Sequence, residues 1–101
     1  MATINANTAG SATLTADTVD TINLTCPATR LIVWNLKHTG STLYFTFAPA
    51  ATGAPTPTVA GNNCYAVAHG PAGVLDLPAL GVPLQVKVIS AGAQDYSVMV
   101  V

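Results

Sequence analysis

The stretch Leu84-Gln85-Val86-Lys87-Val88-Ile89-Ser90 decides the fold class of this chain. Apolar and polar residues alternate in it with a period of two, which is the pattern of a β-strand that buries one face. Leu84, Val86 and Val88 form the predicted inward face, and Gln85 and Lys87 point outward. The stretch therefore predicts a strand of a sheet that packs on an apolar core.

Similar short runs recur on both sides of this strand, at intervals of roughly 8–12 residues with turn residues between them. No stretch of helical length shows helical spacing free of glycine, proline and β-branched runs. Residues 91–95 are interpreted as a hairpin loop that pairs the last two strands, and the three prolines of residues 48–57 predict a loop. We expect an all-β fold, a single antiparallel β-sandwich with Greek-key, jelly-roll or immunoglobulin-like connections. The other predicted strands are Ser11–Thr15, Val19–Thr25, Arg30–Asn35, Leu43–Phe47, Cys64–Val67, Val74–Leu77 and Tyr96–Val101.

The length of 101 residues predicts one domain with an ordinary core. Residues 1–12 are small and polar, so we expect a flexible N-terminal arm followed by the sandwich at residues 13–101. Such an arm either frays in solution or becomes ordered on a neighbouring subunit. In the second case Ile4 in the arm and Leu14 just after it, the isolated apolar residues of the polar stretch 1–16, are candidate contacts.

Charge is scarce in this chain: there are three Lys and Arg residues, four Asp residues and no Glu, for a net charge of −1. Without a basic patch, nucleic acid is not an expected partner. No apolar run approaches the roughly 20 residues of a membrane span, and no basic amphipathic helix is predicted, so no membrane partner is expected. Because few charges repel neighbouring copies, the composition favours a role in assembly.

The residues of the N-terminus, 1–7, contain neither a basic region nor an apolar segment, which predicts that no signal peptide is present. We therefore expect the chain to be made in a host cytoplasm and to keep Cys26 and Cys64 as free thiols in the core.

Motifs for catalysis or metal binding are not recognisable. Cys26, His38, Cys64 and His69 lack the close Cys-x-x-Cys spacing of zinc sites, so no metal ligand is expected. There is no Gly-x-Ser-x-Gly elbow and no glycine-rich phosphate loop. We expect a protein that is not an enzyme, with no catalytic residues and no cofactor.

Aromatic residues are few. Trp34, Tyr44 and Tyr65 are candidates for a platform on which carbohydrate stacks, although core or subunit contacts are the favoured interpretation.

The predicted strand 30–35 is apolar on both faces, with Leu31 and Val33 on one and Ile32 and Trp34 on the other. A sandwich strand needs one apolar face for its own core. The second face therefore requires cover from a loop, from the arm or from another subunit. This makes Ile32 and Trp34 candidate contacts in an oligomer or on a capsid.

The order of several short sequence segments resembles that in the small β-sandwich virion structural and head decoration proteins of tailed bacteriophages, particularly those that infect actinobacteria. The resemblance covers roughly residues 13–100 and is carried by Val33-Trp34-Asn35, Leu43-Tyr44-Phe45-Thr46-Phe47, Pro57-Thr58-Val59-Ala60-Gly61, Tyr65-Ala66-Val67, Val86-Lys87-Val88-Ile89-Ser90-Ala91-Gly92 and Tyr96-Ser97-Val98.

The resemblance implies a β-sandwich on the outer capsid surface of a virion. Its implied partners are the major capsid protein and further copies of the chain, as a homotrimer over the local threefold axes. One departure is the apolar loop 48–53, where relatives often carry an Asp-Gly turn. Pro49 and Pro55 in and beside this loop are candidate contacts at its tip. The alternatives are another virion component (a tail, connector or fibre-associated protein) or a carbohydrate-binding module.

Overall fold

β-Strands in two sheets build the domain, as the alternating sequence pattern predicts. The computed structural model describes residues 1–37, 40–69 and 73–101, and within these ranges it contains no helix. The strands are β1 (Thr3–Ala6), β2 (Ala9–Leu14), β3 (Asp20–Leu24), β4 (Ala28–Asn35), β5 (Leu43–Pro49), β6 (Tyr65–Val67), β7 (Val74–Val82), β8 (Leu84–Ser90) and β9 (Gln94–Val100).

The two sheets face each other as a sandwich. The five-stranded sheet has the order β1-β3-β8-β5-β6, and the four-stranded sheet has the order β2-β9-β4-β7. Neighbouring strands are antiparallel except β1 and β3, which run parallel. The predicted antiparallel β-sandwich is thus confirmed, with one parallel pair at an edge.

The core lies between the sheets and consists of the inward residues of both. Strand β8 has the predicted register, because Leu84, Val86 and Val88 are fully buried. In β4, Leu31 and Val33 are fully buried as well. At one end of the core, Phe45 stacks on Tyr65 with ring centroids 5.4 Å apart. The largest fully buried side chains include Tyr96, Phe45, Leu14, Ile22, Leu24, Leu31 and Leu43.

Most connections join a strand of one sheet to a strand of the other. With the exception of β5 and β6, successive strands belong to opposite sheets. The hairpin predicted for β8 and β9 is therefore wrong: β8 pairs with β3 and β5, whereas β9 pairs with β2 and β4. Both strands bury one apolar face. A short connection can place two such strands side by side in one sheet or in opposite sheets with their apolar faces meeting in the core, so the sequence pattern does not distinguish the two arrangements.

The N-terminal segment is part of both sheets, so the expectation of a flexible arm at residues 1–12 is wrong. Strand β1 pairs with β3, and β2 pairs with β9. Ile4 and Ala6 pack against the core from β1. The small polar composition of this segment predicts little burial, but edge strands need little, since their backbone hydrogen bonds are formed with a neighbouring strand.

Candidate interaction surface

The outward face of the four-stranded sheet is the apolar surface that Ile32 and Trp34 predicted. Strand β4 turns both side chains away from the core, and both are partly exposed. Cross-strand register places Met99 opposite Ile32 and Ser97 opposite Trp34. We call this surface the Trp34 face; it comprises Ala9, Ser11, Ile32, Trp34, Leu36, Val74, Ser97 and Met99.

The Trp34 face contains a depression of about 330 Å³. Small side chains of Ala9, Ser11 and Ser97 line it from strands β2 and β9. The larger side chains around it are Trp34, Leu36 and Met99. The depression follows from register, since Ser11, Ser97 and Trp34 are opposite one another on three adjacent strands and two of the three side chains are short. No charged residue lines it.

One ion pair lies at the rim of the Trp34 face. Arg30 Nη2 lies 2.9 Å from Asp76 Oδ2, and Arg30 Nε donates to Asp76 Oδ1 at 3.0 Å. The hydrogen bond and the carboxylate charge raise the pKa of Arg30 above its already high ordinary value. Both side chains are well exposed, so the pair adds little stability. Its main consequence is that two of the seven charges cancel beside the apolar surface.

The outward face of the five-stranded sheet is polar. Asn23 Nδ2 donates to Asn5 Oδ1 at 3.0 Å, and Gln85 Nε2 donates to Asn23 Oδ1 at 2.9 Å. The ladder of amides continues into the long loop, where Ala54 N–H donates to Gln85 Oε1 at 2.9 Å. These amide groups thus satisfy much of their hydrogen-bonding capacity within the chain itself.

The proline-rich loop lies over part of that polar face. Thr46 on the outward side of β5 is buried, and its hydroxyl donates to the Pro55 carbonyl. Ala54 and Pro57 are also buried. Pro49 ends β5, and its carbonyl accepts hydrogen bonds from Thr52 N–H and Gly53 N–H, both at 2.9 Å. The loop is thus fastened to its own sheet, although the Pro55 side chain remains exposed.

The predicted contact residues separate into two groups. Pro55 is exposed, and Ile32, Trp34 and Pro49 are partly exposed. The structure contradicts Leu14 as a surface contact, because its side chain is 1% exposed and belongs to the core. Ile4 packs against the same core from β1. Ile4 was expected on a free arm, and it packs against the core because that segment forms β1; Leu14 ends β2 with its side chain turned inward.

Sequence reasoning did not identify Ser11, Ser97 and Met99 as surface residues. The alternation in β9 contained the signal, since Tyr96, Val98 and Val100 are buried and the intervening residues point outward. What the pattern lacked was the strand order that places β9 between β2 and β4.

The carbohydrate platform of three aromatic residues is not assembled. Trp34 lies on the four-stranded sheet and Tyr44 on the outward side of the five-stranded sheet. Tyr65 stacks on Phe45 and lies 5.7 Å from Phe47 between ring centroids. The three rings therefore share no surface.

The cysteines and histidines are likewise dispersed. Cys26 and Cys64 are free and partly exposed. Cys26 packs against the edge of the core, whereas Cys64 is not part of it, so the expectation of two core cysteines is wrong for Cys64. His69 is exposed in a bend, and His38 lies outside the described residues. Within residues 1–37, 40–69 and 73–101, no three His, Cys, Asp or Glu side chains come together as a metal site. The same part of the chain has no helix long and apolar enough to cross a membrane.

A buried acid and a buried phenol join the sheets. Asp20 is 2% exposed, and its Oδ2 accepts a hydrogen bond of 3.0 Å from the Tyr96 hydroxyl. Its Oδ1 accepts one of 2.9 Å from Ala2 N–H. Burial, and then the charge and hydrogen bond of Asp20, raise the pKa of Tyr96 well above its ordinary value. The phenol stays protonated as a donor, so the pair fastens β1 and β9 to β3.

A second polar cluster closes one end of the sandwich. Asn35 Nδ2 donates to the carbonyls of Ser41 and Val67, both at 3.1 Å. Gln94 Nε2 donates to Asn35 Oδ1, and Gln94 Oε1 accepts from Ser41 N–H at 3.1 Å. Both amide side chains are buried. Because buried amides are stable only when hydrogen-bonded, this cluster positions the strand ends and has no evident chemical role.

Comparisons with known proteins bear on the fold. No protein-family profile matches the chain, and no curated protein matches it. Among solved structures, it is similar to the pre-peptidase C-terminal domain of a collagenase from Bacillus anthracis, with a TM-score of 0.53 and 16% sequence identity. The match covers 100% of this chain and 95% of that domain. At this identity the likeness supports a shared β-fold.

Proposed function

We propose that this chain is a bacteriophage capsid decoration protein, a cement protein that binds the outer surface of the major capsid protein. The observation that carries the proposal is the Trp34 face. Its centre is a partly exposed tryptophan beside Ile32 and Met99, which are partly exposed as well. Tryptophan and methionine are enriched at protein interfaces. The sequence resemblance supplies the capsid as the partner.

The size of the Trp34 face indicates how such a protein would bind. Four strands about 4.8 Å apart and three rows of outward residues cover roughly 400 Å², below the roughly 800 Å² per partner of a stable interface. One subunit would then bind weakly. The homotrimer implied by the resemblance would bind through three such contacts at once. Its overall affinity would exceed that of one subunit although each single contact is unchanged. Binding to the assembled shell would in turn stabilise the shell by mass action.

The test compares Trp34→Lys with Val59→Lys. Both replace an accessible apolar residue, and Val59 lies in the long loop, away from the four-stranded sheet. We expect Trp34→Lys to remove at least about 2 kcal/mol of binding, as an interface hot spot does, and Val59→Lys to bind purified shells normally. Circular dichroism checks that both variants fold.

Equal shell occupancy for both variants would refute the role of the Trp34 face. Copy number per particle distinguishes decoration from the alternative virion roles: hundreds of copies indicate a decoration protein, and tens or fewer indicate a tail, connector or fibre component.

A further inference from the structure

The four sheet edges differ in how far they are open to another strand. In the five-stranded sheet, β6 is three residues long and β1 is four. In the four-stranded sheet, β7 is long but contains Pro78, whereas the six residues of β2 include neither proline nor a charged residue. Natural proteins block exposed edges with proline, charge or short strands. Strand β2 has none of these protections.

Hydrogen-bond geometry shows which backbone groups of β2 are free. Val100 N–H donates to the Thr8 carbonyl at 2.8 Å, so Thr8 faces β9. In an antiparallel pair, the backbone groups of successive residues point alternately toward the partner strand and away from it. Ala9, Ser11 and Thr13 therefore direct their N–H and C=O groups away from β9. No described strand pairs with β2 on that side.

The opposite edge of the same sheet has the contrary arrangement. Asn35 N–H donates to the Gly73 carbonyl at 2.7 Å, so Gly73 faces β4 and Val74, Asp76 and Pro78 face away. The missing N–H of Pro78 thus lies on the open side of β7 and removes a donor there. One edge is blocked and the other is open.

The open edge adjoins the depression of the Trp34 face. Ala9 and Ser11 supply both the free backbone groups and part of the depression's lining. Side chains of a strand added beside β2 would alternate between the two faces, so every second one would lie over Ala9 or Ser11. Because these residues are small, a large side chain at that place can extend toward Met99 and Trp34.

We propose that β2 is a strand-addition site for an extended, uncharged segment of a partner chain, which places one large apolar side chain in the depression. This deepens the proposed function and rests on it for the partner's identity, the capsid shell. An apolar anchor is favoured over a charged one, since no residue that lines the depression could act as its counterion. A second copy docked face to face is disfavoured because roughly 400 Å² is half of what a stable dimer needs. An added strand supplements that small area with main-chain hydrogen bonds.

The probe is a display library of random peptides of about twelve residues, selected on the full-length protein. We expect the selected peptides to be uncharged, with a recurring large apolar residue. Amide hydrogen exchange should slow at Ala9, Ser11 and Thr13 when a peptide binds. Selection of no peptide, or slowed exchange at other strands only, would overturn the proposal.

Two variants test the edge and the depression separately. Ser11→Pro removes a free N–H without touching the bonds to β9, and Ser11→Tyr fills the depression. Each should weaken peptide binding by roughly tenfold or more. Thr3→Pro is the matched control, and it should leave peptide binding unchanged. Thr21 N–H donates to the Ala2 carbonyl, so the backbone N–H of Thr3 points away from β3 and the substitution removes an edge donor from β1 instead of β2. If Ser11→Pro does not fold, peptide binding by Ser11→Tyr and the hydrogen-exchange data still test whether a peptide adds to β2.

Further outcomes separate this proposal from the proposed function. If Ser11→Pro and Ser11→Tyr bind shells like the wild type, strand addition to β2 is wrong while the decoration role survives. If peptides add to β2 and the wild-type protein does not bind shells, the decoration role is wrong instead. A concentration-dependent dimer in light scattering that Ser11→Pro abolishes would assign the edge to a second copy and overturn the proposed occupant.

Discussion

Tyr96 and Asp20 show how single residues join the two sheets. Tyr96 points inward from the four-stranded sheet and Asp20 from the five-stranded sheet, and their hydrogen bond of 3.0 Å crosses the core. Asp20 also binds Ala2 N–H, so one carboxylate holds β1 in place. Every buried side-chain nitrogen and oxygen in the described chain has a hydrogen-bond partner. Removing either member of the pair would therefore leave a buried group unpaired, which costs about 1–3 kcal/mol.

Stability should fall at alkaline pH because of Tyr96. Its folded-state pKa is raised above the unfolded value, chiefly by burial, so the phenol stabilises the fold below pH 10 and the unfolded chain loses its proton first as pH rises. Above about pH 10 this residue should remove roughly 1.4 kcal/mol of unfolding free energy per pH unit. Urea unfolding from pH 8 to 11.5 measures this decline. Tyr96→Phe should show a shallower decline, and an identical slope would contradict the assignment.

At the scale of the elements, the strand edges decide how the protein meets others. Strand β7 exposes Val74 and Leu80, yet Pro78 lies between them on its open side. Strand β1 ends the other sheet and is held by a parallel ladder, by Ile4 in the core and by the amides of Asn5 and Asn23.

Replacing Pro78 with valine should open β7. The substitution restores a free N–H to a long edge with exposed apolar side chains, and such an edge is a template for intermolecular pairing. We expect Pro78→Val to self-associate at concentrations at which the wild type does not, with little change in the circular dichroism of the dilute protein. Light scattering across a concentration series measures this. Equal association of both proteins would mean that proline does not protect this edge.

Deleting residues 2–7 should destabilise the sandwich. The deletion removes the β1 ladder and the burial of Ile4, and it leaves Asp20 Oδ1 without Ala2 N–H. Together these changes should cost about 2–4 kcal/mol in unfolding free energy. Urea unfolding measures it, and the point variant Ile4→Asn should show part of the same loss. An unchanged midpoint would restore the interpretation of a free arm.

At the scale of the whole molecule, the two outward faces differ in chemistry. The five-stranded sheet presents amides and carries the fastened loop, whereas the four-stranded sheet presents the Trp34 face with its self-neutralised Arg30–Asp76 pair. With only seven charged residues in 101, long-range electrostatic attraction contributes little to any contact.

Shell binding should consequently be almost independent of salt. Screening weakens exposed charge pairs, and the residues that line the depression of the Trp34 face carry no charge. We expect the affinity for purified shells to change by less than about threefold between 0.05 and 0.5 M NaCl, where an electrostatic contact would weaken by tenfold or more. Sedimentation of bound protein with the particles measures this. A loss of tenfold or more would indicate a charged contact elsewhere on the molecule.

The sequence by itself determined the class of fold and the inward faces of its main strands. Alternation reports burial directly, because a strand in a sandwich has one side in the core. It therefore identified the inward residues of β8 and the two apolar faces of β4, including Ile32 and Trp34 as residues that the core does not use. The contact roles of Ile32, Trp34 and Pro55 stay predictions, as do the capsid, the trimer and the absence of catalysis.

Only the tertiary structure decided which strands are neighbours. Alternation is the same whether two strands pair in one sheet or face each other across the core, so it placed β8 and β9 in a hairpin although they lie in opposite sheets. It also missed β1, because an edge strand of small polar residues is stabilised by backbone bonds that leave no apolar pattern. Strand order likewise created the depression, since Ser11, Ser97 and Trp34 are far apart in the chain and meet only through register.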